Sequence, residues 1–588
     1  MTEQITEQAA GTAADSATPR TPTPVDEVAE AHFRGMLDLS PALRIEVGAP
    51  GRDDELDDYS PGGWAAHDDL AARTLAALGA AESASRAAGT FDETDAVTAD
   101  ALRERLGLTR ELHSIGADAS AFNVLASPVQ EIREFFDLVP TASAEDWEAN
   151  ASRLRAVSQA LAGHRESLLA ARAGGRSPAR VQVQAVIEQA RAAAEAGGHF
   201  DRFVAGASAD RPGPADISSG LQAELADAAG SARTAYARFA DFLAQQMLPD
   251  AREDDAVGRE EYALHSRQFL GAAVDLDETY EWGLELLASI DAEQQEIAEA
   301  LFPGSSVTET MAKLDADPER RIHGLDALRT WMQETADEAT AALTGTHFDI
   351  PEQVRAIECM VLEDGTGGIY YTPPTSDFSR PGRMWWSVPS GVDSFSAWQE
   401  RTTVYHEGVP GHHLQLGAAV MMESRLNAWR RQGVWVSGHG EGWALYAERL
   451  MDELGFLSDP GDRFGMLDSQ RLRAARVCVD IGVHCRKHAP ASVGGGIWDR
   501  EKAWRFLTDN VAMERSFLDF ELKRYLGWPG QAPSYSVGQR IWQQIRDAVR
   551  AREERDGRVF SLRDFHTRAL GLGSVGLSTL QKALVEGF

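Results

Sequence analysis

The chain has 588 residues, of which 57 are basic and 91 acidic, so its formal net charge at pH 7 is -34. Its hydrophobic share of 43% and charged share of 25% are typical of a globular protein with a sizeable core. So acidic a chain argues against a nucleic-acid partner, which needs a positive surface. No apolar run is long enough to cross a membrane, so we expect no membrane partner either.

The first 25 residues are rich in Thr, Ala, Glu and Gln, with few side chains worth burying. They lack the basic start and apolar run of a signal peptide. We therefore expect a disordered tail over 1–25 and a cytoplasmic protein. Residues 26–588 contain no internal repeat and no long low-complexity linker, which favours a single large helical domain.

Most of this domain is predicted to be helical. Long stretches are rich in Ala, Leu, Glu, Arg and Gln, with apolar residues three or four positions apart. The clearest predicted helices cover 146–173, 180–196, 218–246 and 277–301.

One region departs from the helical pattern. The aromatic and β-branched segments 367–372 and 383–388 flank a connection rich in Pro and Gly, which predicts a small β-hairpin. An edge strand of this kind can pair with an extended peptide, although an aromatic hairpin that only packs on the core fits the pattern equally well. On the first interpretation four side chains contact substrate: Tyr370, Tyr371, Arg383 and Trp385.

The residues with the clearest chemistry follow the hairpin. His406 and Glu407 lie on a predicted helix, as in H-E-x-x-H, in which two histidines four apart bind zinc and the glutamate is the base. Here position 410 is proline. On a regular helix His412 would lie about 120° off the face of His406, and His413 about 20° off but two turns away. Because Pro410 breaks the helix, we expect a bulge that brings His412 or His413 to the metal.

A third ligand is expected from a separate helix. Glu441 opens such a helix about thirty residues later, and Glu448 lies seven positions on, on the same face. Together with the histidines, these carboxylates form a dense group of candidate metal-binding residues.

Two further groups are candidates for roles in the site. Asp480 and His484 lie four apart on one predicted helix face, where they can support the site or contact substrate. Arg524 can bind a peptide carboxylate in bidentate fashion. We take His484 as a candidate catalytic residue and Asp480 and Arg524 as candidate substrate-binding residues. The alternative is a buried hydrogen-bonded pair and a structural arginine.

Four motifs give the chain a family resemblance. They are His406–Gln415 (HEGVPGHHLQ), Glu441–Glu448 (EGWALYAE), Val479–His484 (VDIGVH), and Pro529–Ala532 (PGQA) followed by Tyr535. Over roughly 30–585 the chain resembles the bacterial domain-of-unknown-function family 885. That family looks like a distant relative of the helical zinc peptidases, such as thimet oligopeptidase, angiotensin-converting enzyme and carboxypeptidase Taq.

The resemblance implies a mainly α, two-lobed fold with a deep channel and the small hairpin near the active site. It implies one zinc ion held by His406, His412 and Glu441, with His413 as the alternative second ligand. It further implies that Glu407 is the general base and that Tyr535 faces the oxyanion, where a hydrogen bond stabilises developing charge.

The sequence thus predicts zinc-dependent hydrolysis of peptide bonds in small peptides or small amides, and it leaves a homodimer open. One alternative is a catalytically inactive relative that binds peptides. The other is a di-metal carboxylate oxidoreductase, which needs Glu-x-x-His pairs that are not evident here.

Overall fold

A computed structural model describes the chain except for residues 1–18, 52–53, 208–216, 364–367 and 376. The described part is mainly helical, as predicted, with few strands. None of its helices is both long and apolar enough to span a membrane.

The α-helices of the first half of the chain are α1 Pro24–Leu39, α2 Pro41–Glu46, α3 Pro61–Ala88, α4 Glu93–Ser114, α5 Pro128–Leu138, α6 Ala144–Ala173, α7 Arg180–Ala194, α8 His199–Ala205, α9 Ser219–Phe242, α10 Arg259–Leu270 and α11 Leu276–Leu301. Those of the second half are α12 Val307–Ala316, α13 Leu325–Leu343, α14 Ala397–Glu407, α15 His412–Met421, α16 Ser437–Glu453, α17 Pro460–His484, α18 Arg500–Asn510, α19 Arg515–Gly527, α20 Ser534–Arg555, α21 Leu562–Leu570 and α22 Leu577–Gln581.

The four predicted helices are confirmed as α6, α7, α9 and α11, with ends within a few residues of the prediction. Their start signals are local. Ser143 caps α6 in a capping box with Asp146, and Asp275 accepts hydrogen bonds from the first turn of α11. Propensity and capping therefore decide these elements before any tertiary contact forms.

The strands are β1 Arg321–His323, β2 Ile357–Glu363, β3 Ile369–Thr372, β4 Gly382–Val388 and β5 Ser394–Ser396. The predicted hairpin is confirmed, because β3 pairs antiparallel with β4 and places Tyr370 opposite Trp385. The sequence analysis missed β2, which pairs in parallel with β4 and makes β4 the central strand of three. A parallel neighbour is set by tertiary packing and leaves no hairpin signal in the sequence.

The N-terminal boundary lies earlier than predicted. Residues 1–18 of the expected tail are outside the described residues, but Thr23 already caps α1 and Val25 is fully buried. Arg20 forms ion pairs with Asp26, Asp92 and Asp95. The sequence pattern missed these contacts because they join the segment to α4, which follows some seventy residues later.

Buried apolar side chains form two large cores. One is built mostly from α5 to α9, around residues such as Phe136, Leu154 and Tyr236. The other contains α10, α11 and the helices from α14 onward, around Trp443, Phe464 and Trp542. All the motif residues singled out above for metal binding belong to elements of this second core.

Helices α16 and α20 approach each other closely at glycines. A Cβ on Gly442 would lie 2.5 Å from the carbonyl carbon of Gly538, and one on Gly538 would lie 2.4 Å from the carbonyl oxygen of Gly438. The missing side chains let the two backbones touch. This contact brings Glu441 on α16 beside the start of α20, where Tyr535 lies.

Candidate metal centre

Three side chains from three helices converge on one point. His406 near the end of α14, His412 at the start of α15 and Glu441 in the first turns of α16 each present one ligand atom, and these atoms all lie within 4.8 Å of one another. The rings of the two histidines are perpendicular, with centroids 4.9 Å apart. Both imidazoles are nearly buried, whereas Glu441 is partly accessible.

The spacing of the ligand atoms fits a small divalent metal. Oε2 of Glu441 lies 3.5 Å from Nε2 of His406 and 3.6 Å from Nε2 of His412. Two ligands at zinc's usual bond length of about 2.05 Å, at a tetrahedral angle, are roughly 3.3 Å apart. Three protein ligands that leave a fourth position open are the arrangement of catalytic rather than structural zinc sites.

A four-residue turn places His412. Helix α14 ends at Glu407, residues 408–411 are not helical, and α15 begins at His412. The amide of Gly411 donates to the carbonyl of Tyr405 over 3.0 Å, and a Cβ at Gly411 would lie 1.9 Å from the carbonyl oxygen of His406. Only glycine fits there. The indole nitrogen of Trp443 in α16 donates to the carbonyl of Pro410 over 2.9 Å and fixes the turn from the other side.

The prediction of a bulge within one continuous helix is therefore wrong. The chain makes two helices joined by a turn, because Pro410 has no amide hydrogen for the helical ladder and Gly411 allows the close backbone crossing. The Val409–Pro410 peptide bond is cis. The turn still has the effect that was expected of the bulge, since it brings the His412 side chain next to that of His406.

His413 points elsewhere. Its Nε2 donates to the carbonyl of Val354 over 2.6 Å, and its Nδ1 accepts from the hydroxyl of Tyr371 over 2.9 Å. Burial lowers its pKa to about 4, so the ring is neutral. With both nitrogens engaged, His413 has no free ligand atom, and the geometry favours His412 as the second histidine.

Glu448 orients His406 from behind. Its Oε1 accepts a hydrogen bond from Nδ1 of His406 over 2.8 Å, and its Oε2 accepts one from the hydroxyl of Thr402 over 2.7 Å. This bond fixes the tautomer that leaves Nε2 of His406 as the ligand atom. The sequence analysis missed Thr402, although it lies four residues before His406 on the same helix face.

The site concentrates negative charge. Burial lowers the pKa of His406, but the hydrogen bonds that its ring donates to the carboxylates of Glu441 and Glu448 outweigh burial and raise that pKa to about 9. Burial raises the pKa of Glu441, but His406 and His412 hold it well below its usual range. In the metal-free protein His406 thus carries the balancing proton, which a divalent cation would replace.

Glu407 is placed to act on a molecule at this cluster. It follows His406 in the last turn of α14, and it is only 8% exposed. Among the described residues its carboxylate has no hydrogen bond or ion pair. A nearly buried carboxylate with no partner is available to a substrate or a water molecule.

Tyr535 also lies at the cluster. It sits in the first turn of α20, half-buried, and its pKa is raised by burial and then by the charge of Glu441. The guanidinium of Arg476 lies over its ring at 5.0 Å. No hydrogen bond joins the Tyr535 hydroxyl to another described residue, so the hydroxyl can donate to a bound group.

Asp480 and His484 are buried and hydrogen-bonded within the protein, and their predicted roles at the site stay predictions. Asp480 accepts from the Tyr262 hydroxyl over 2.6 Å and from the Gly530 amide over 2.9 Å, and burial raises its pKa to about 7. His484 bonds the carbonyl of Tyr525 over 3.0 Å. Neither touches the His406–His412–Glu441 group in these bonds. Asp480 instead holds the loop that precedes Tyr535.

Arg524 and the hairpin residues are mostly engaged within the protein. Arg524 donates to Glu521 over 3.0 Å and to Gln531 over 2.6 Å. Arg383 bonds Glu358 over 2.6 Å, and the indole of Trp385 bonds Thr372 over 2.9 Å. Among the four predicted hairpin residues, Tyr370 is the exposed one, at 45%, and its ring stacks on Trp385. Their predicted substrate contacts stay predictions.

The sequence profile described as "Bacterial protein of unknown function (DUF885)" matches residues 41–584. The chain belongs to this family. Two solved structures, each described as a "putative lipoprotein", share its fold. The one from Colwellia psychrerythraea is 21% identical, with a TM-score of 0.78 over 95% of this chain and 98% of its own. The one from Shewanella oneidensis is 16% identical, with a TM-score of 0.69 over 95% and 99%.

No protein of curated function matches the chain. The DUF885 description assigns no activity, so the function must be argued from the site itself.

We expect the two adjacent histidines to differ in metal binding. His412→Ala removes a ligand and should reduce bound zinc to well below one ion per chain. His413→Ala leaves all three ligand atoms and should keep close to one ion. Metal analysis of the dialysed, zinc-loaded variants by plasma mass spectrometry measures both. Loss of zinc from His413→Ala alone would reverse the assignment.

Glu448→Gln should weaken zinc binding by about 10- to 100-fold, because it removes the charge that orients and polarises His406. The matched control is Glu453→Gln on the same helix, since Glu453 pairs with Arg546 and stands outside the site. Competition with a chelator of known affinity gives both dissociation constants. Equal affinities in the two variants would contradict the role of Glu448.

Proposed function

We propose that this DUF885 protein is a zinc-dependent hydrolase that cleaves peptide bonds in small peptides. The observation that carries the proposal is the convergence of His406, His412 and Glu441 at zinc-ligand spacing, with Glu407 unpaired beside them. When bound, one zinc ion would supply Lewis-acid polarisation of the carbonyl and would lower the pKa of water.

Glu407 acts as the general base in this proposal. Its carboxylate takes the proton of the attacking water and later delivers it to the leaving amine. Its low exposure favours proton transfer, because little bulk water competes for the carboxylate. Its position next to His406 in the same helical turn keeps it in fixed register with the ligands.

Tyr535 stabilises the carbonyl oxygen of the substrate in this proposal. Its hydroxyl donates a hydrogen bond to the carbonyl oxygen as that oxygen gains negative charge. Burial and the charge of Glu441 raise its pKa, so the hydroxyl keeps its proton as a donor. Asp480 supports this role through the Gly530 amide, which fixes the loop before α20.

The substrate enters between the two cores. A cavity of about 330 Å³ lies between Phe122 and Gln182, from the region of the α5–α9 core, and Gln268 and Trp528 on the other side. We propose that the cores are two lobes and that this space is part of the channel. Strand β3, an edge strand among the described residues, is the candidate partner for an extended peptide.

Glu407→Gln tests the central step. We expect peptide hydrolysis to fall by at least about 1,000-fold, because the variant lacks the base, while bound zinc stays near one ion per chain. The control is Glu400→Gln, an acid on the same helix outside the ligand group, which should keep full activity. Cleavage of a mixed peptide library, followed by mass spectrometry, provides the rate.

The other predicted functions give different results in the same experiment. A peptide-binding relative without catalysis binds library peptides in wild type, in Glu407→Gln and after chelation, and cleaves none. A di-metal oxidoreductase contains iron instead of zinc and consumes oxygen. Wild-type protein that binds no zinc and cleaves no peptide contradicts the hydrolase proposal.

Tyr535→Phe should lower kcat by about 100-fold with little change in KM, because the lost hydrogen bond forms only as charge develops on the oxygen. Zinc content and thermal stability should match wild type, since no described residue bonds the hydroxyl. Steady-state kinetics on the best library peptide measure the effect. An unchanged kcat would exclude Tyr535 from the oxyanion site.

The cytoplasmic location stays a prediction. The description of the two similar structures as lipoproteins supplies the alternative, a protein held at a membrane surface by a lipid. Fractionation of cells expressing the full-length protein separates the two, since a lipid-anchored protein sediments with membranes and is released by detergent.

A further inference from the structure

A second cavity opens directly at the candidate metal centre. It has a volume of about 290 Å³, and Glu441, one of the three ligand residues, forms part of its wall. The other lining residues come from α4, α10, the start of α16 and the loops before α16 and α20; the large apolar ones are Leu108, Leu112, Phe269, Trp435 and Trp528. A group held at the metal is therefore next to this cavity.

Five large apolar side chains form one part of the wall, and polar side chains form the rest. Trp435 is 52% exposed, and its ring lies 6.3 Å from that of His412. A Cβ on Gly440 would lie 2.1 Å from the Trp435 ring, so the indole packs against the first turn of α16. The rings of Phe269 and Trp528 meet edge to face at 5.5 Å. A rigid, half-exposed tryptophan beside a reactive centre is a surface that a ligand can cover.

Three polar side chains of the wall, those of Arg105, Ser437 and Gln531, already have partners within the protein. The Arg105 guanidinium pairs with Glu104 and donates to the carbonyl of Gln268 over 2.7 Å. The Gln531 carbonyl oxygen accepts from Arg524, and the Ser437 hydroxyl bonds Ser534 over 2.8 Å. Because these three groups are engaged and Glu441 is a candidate metal ligand, a charged substrate side chain gains little in exchange for its water, whereas an apolar one gains by burial.

The cavity between the cores is also partly apolar, but it differs from this one in an ion pair that it carries. The cavity between the cores shares Leu112, Gln268 and Trp528 with this one, but its wall includes the ion pair Arg176–Glu261. A peptide side chain beside the reacting carbonyl therefore meets aromatic and aliphatic groups, and more distant parts of the substrate meet charged ones. A volume near 290 Å³ suits one large side chain instead of a whole ligand.

We propose that the cavity lined by Trp435, Phe269, Trp528, Leu108 and Leu112 is the specificity pocket. It selects peptides that carry a large apolar side chain, aromatic or leucine-like, on a residue adjoining the scissile bond. This inference rests on the proposed peptidase function. Glu441 belongs both to the candidate metal site and to the wall of the pocket, so a carbonyl held at the metal would lie at the mouth of the pocket.

The test fills the pocket from an exposed helix position. Thr109→Trp on α4 puts an indole into the cavity, and Ser114→Trp, at the end of the same helix, is the matched control. Both residues are exposed, and each donates its hydroxyl to a carbonyl of the preceding turn. Ser114 does not line the cavity. Thermal unfolding checks that both variants fold.

The first readout is cleavage of the peptides Ala-Ala-Ala-X-Ala-Ala with X as Phe, Leu, Ala, Asp or Lys. Wild type should cleave next to X, with kcat/KM at least about tenfold higher for Phe and Leu than for Ala, the size expected for filling an apolar pocket. Asp and Lys should be poorer than Ala. Thr109→Trp should lose the preference, and Ser114→Trp should keep it. Equal rates for all five peptides, or a preference that survives Thr109→Trp, would overturn the pocket.

The second readout does not depend on hydrolysis. Saturation-transfer NMR compares binding of N-acetylphenylalaninamide and N-acetylalaninamide to metal-free protein. The phenylalanine probe should bind measurably to wild type and Ser114→Trp but not to Thr109→Trp. If no peptide is cleaved and this pattern holds, the pocket stands and the hydrolase proposal fails. If peptides are cleaved and the two probes bind alike, the hydrolase stands and the pocket fails.

Discussion

The site depends on the close backbone crossing at Gly411. The carbonyl of His406 lies where a Cβ of residue 411 would be, so the chain can turn back within four residues only with glycine there. This turn converts two histidines six positions apart in sequence, which a helix would point in different directions, into neighbours with perpendicular rings. Trp443 bonds the turn from α16 and so couples the histidines to the helix that carries Glu441.

The second constraint is buried charge. Ionised groups taken out of water must be paired, or the cost falls on folding. Here Glu441 lies between two imidazoles, and Glu448 accepts hydrogen bonds from His406 and Thr402, so these two carboxylates are paired, whereas that of Glu407 is not. The two carboxylates raise the pKa of His406 against burial and so favour a proton on its ring in the metal-free protein. A divalent ion at this site would replace that proton and balance the charge of the carboxylates, so His406 could then be neutral.

The surrounding fold serves to hold this arrangement. Gly442 and Gly538 bring α16 and α20 into backbone contact, which sets Tyr535 near Glu441. Asp480, buried and bonded to the Gly530 amide, fixes the approach to α20 from α17. The aromatic wall around Trp435 then extends from the ligands toward the space between the two cores. The candidate site residues thus divide into those at the His406–His412–Glu441 cluster and those that lie in the elements packed around it.

The sequence by itself determined the long helices and the hairpin, and it singled out the candidate metal-binding residues, because propensity, capping and side-chain chemistry are local properties. It left open which of two adjacent histidines joins His406. Tertiary structure decided that question, since His413 is taken up by Val354 and Tyr371 from the region of the sheet. It also set the hydrogen-bond partners of Asp480 and His484, and it assembled the Trp435 wall from segments over three hundred residues apart. No local pattern encodes such a meeting, because it depends on how whole helices pack.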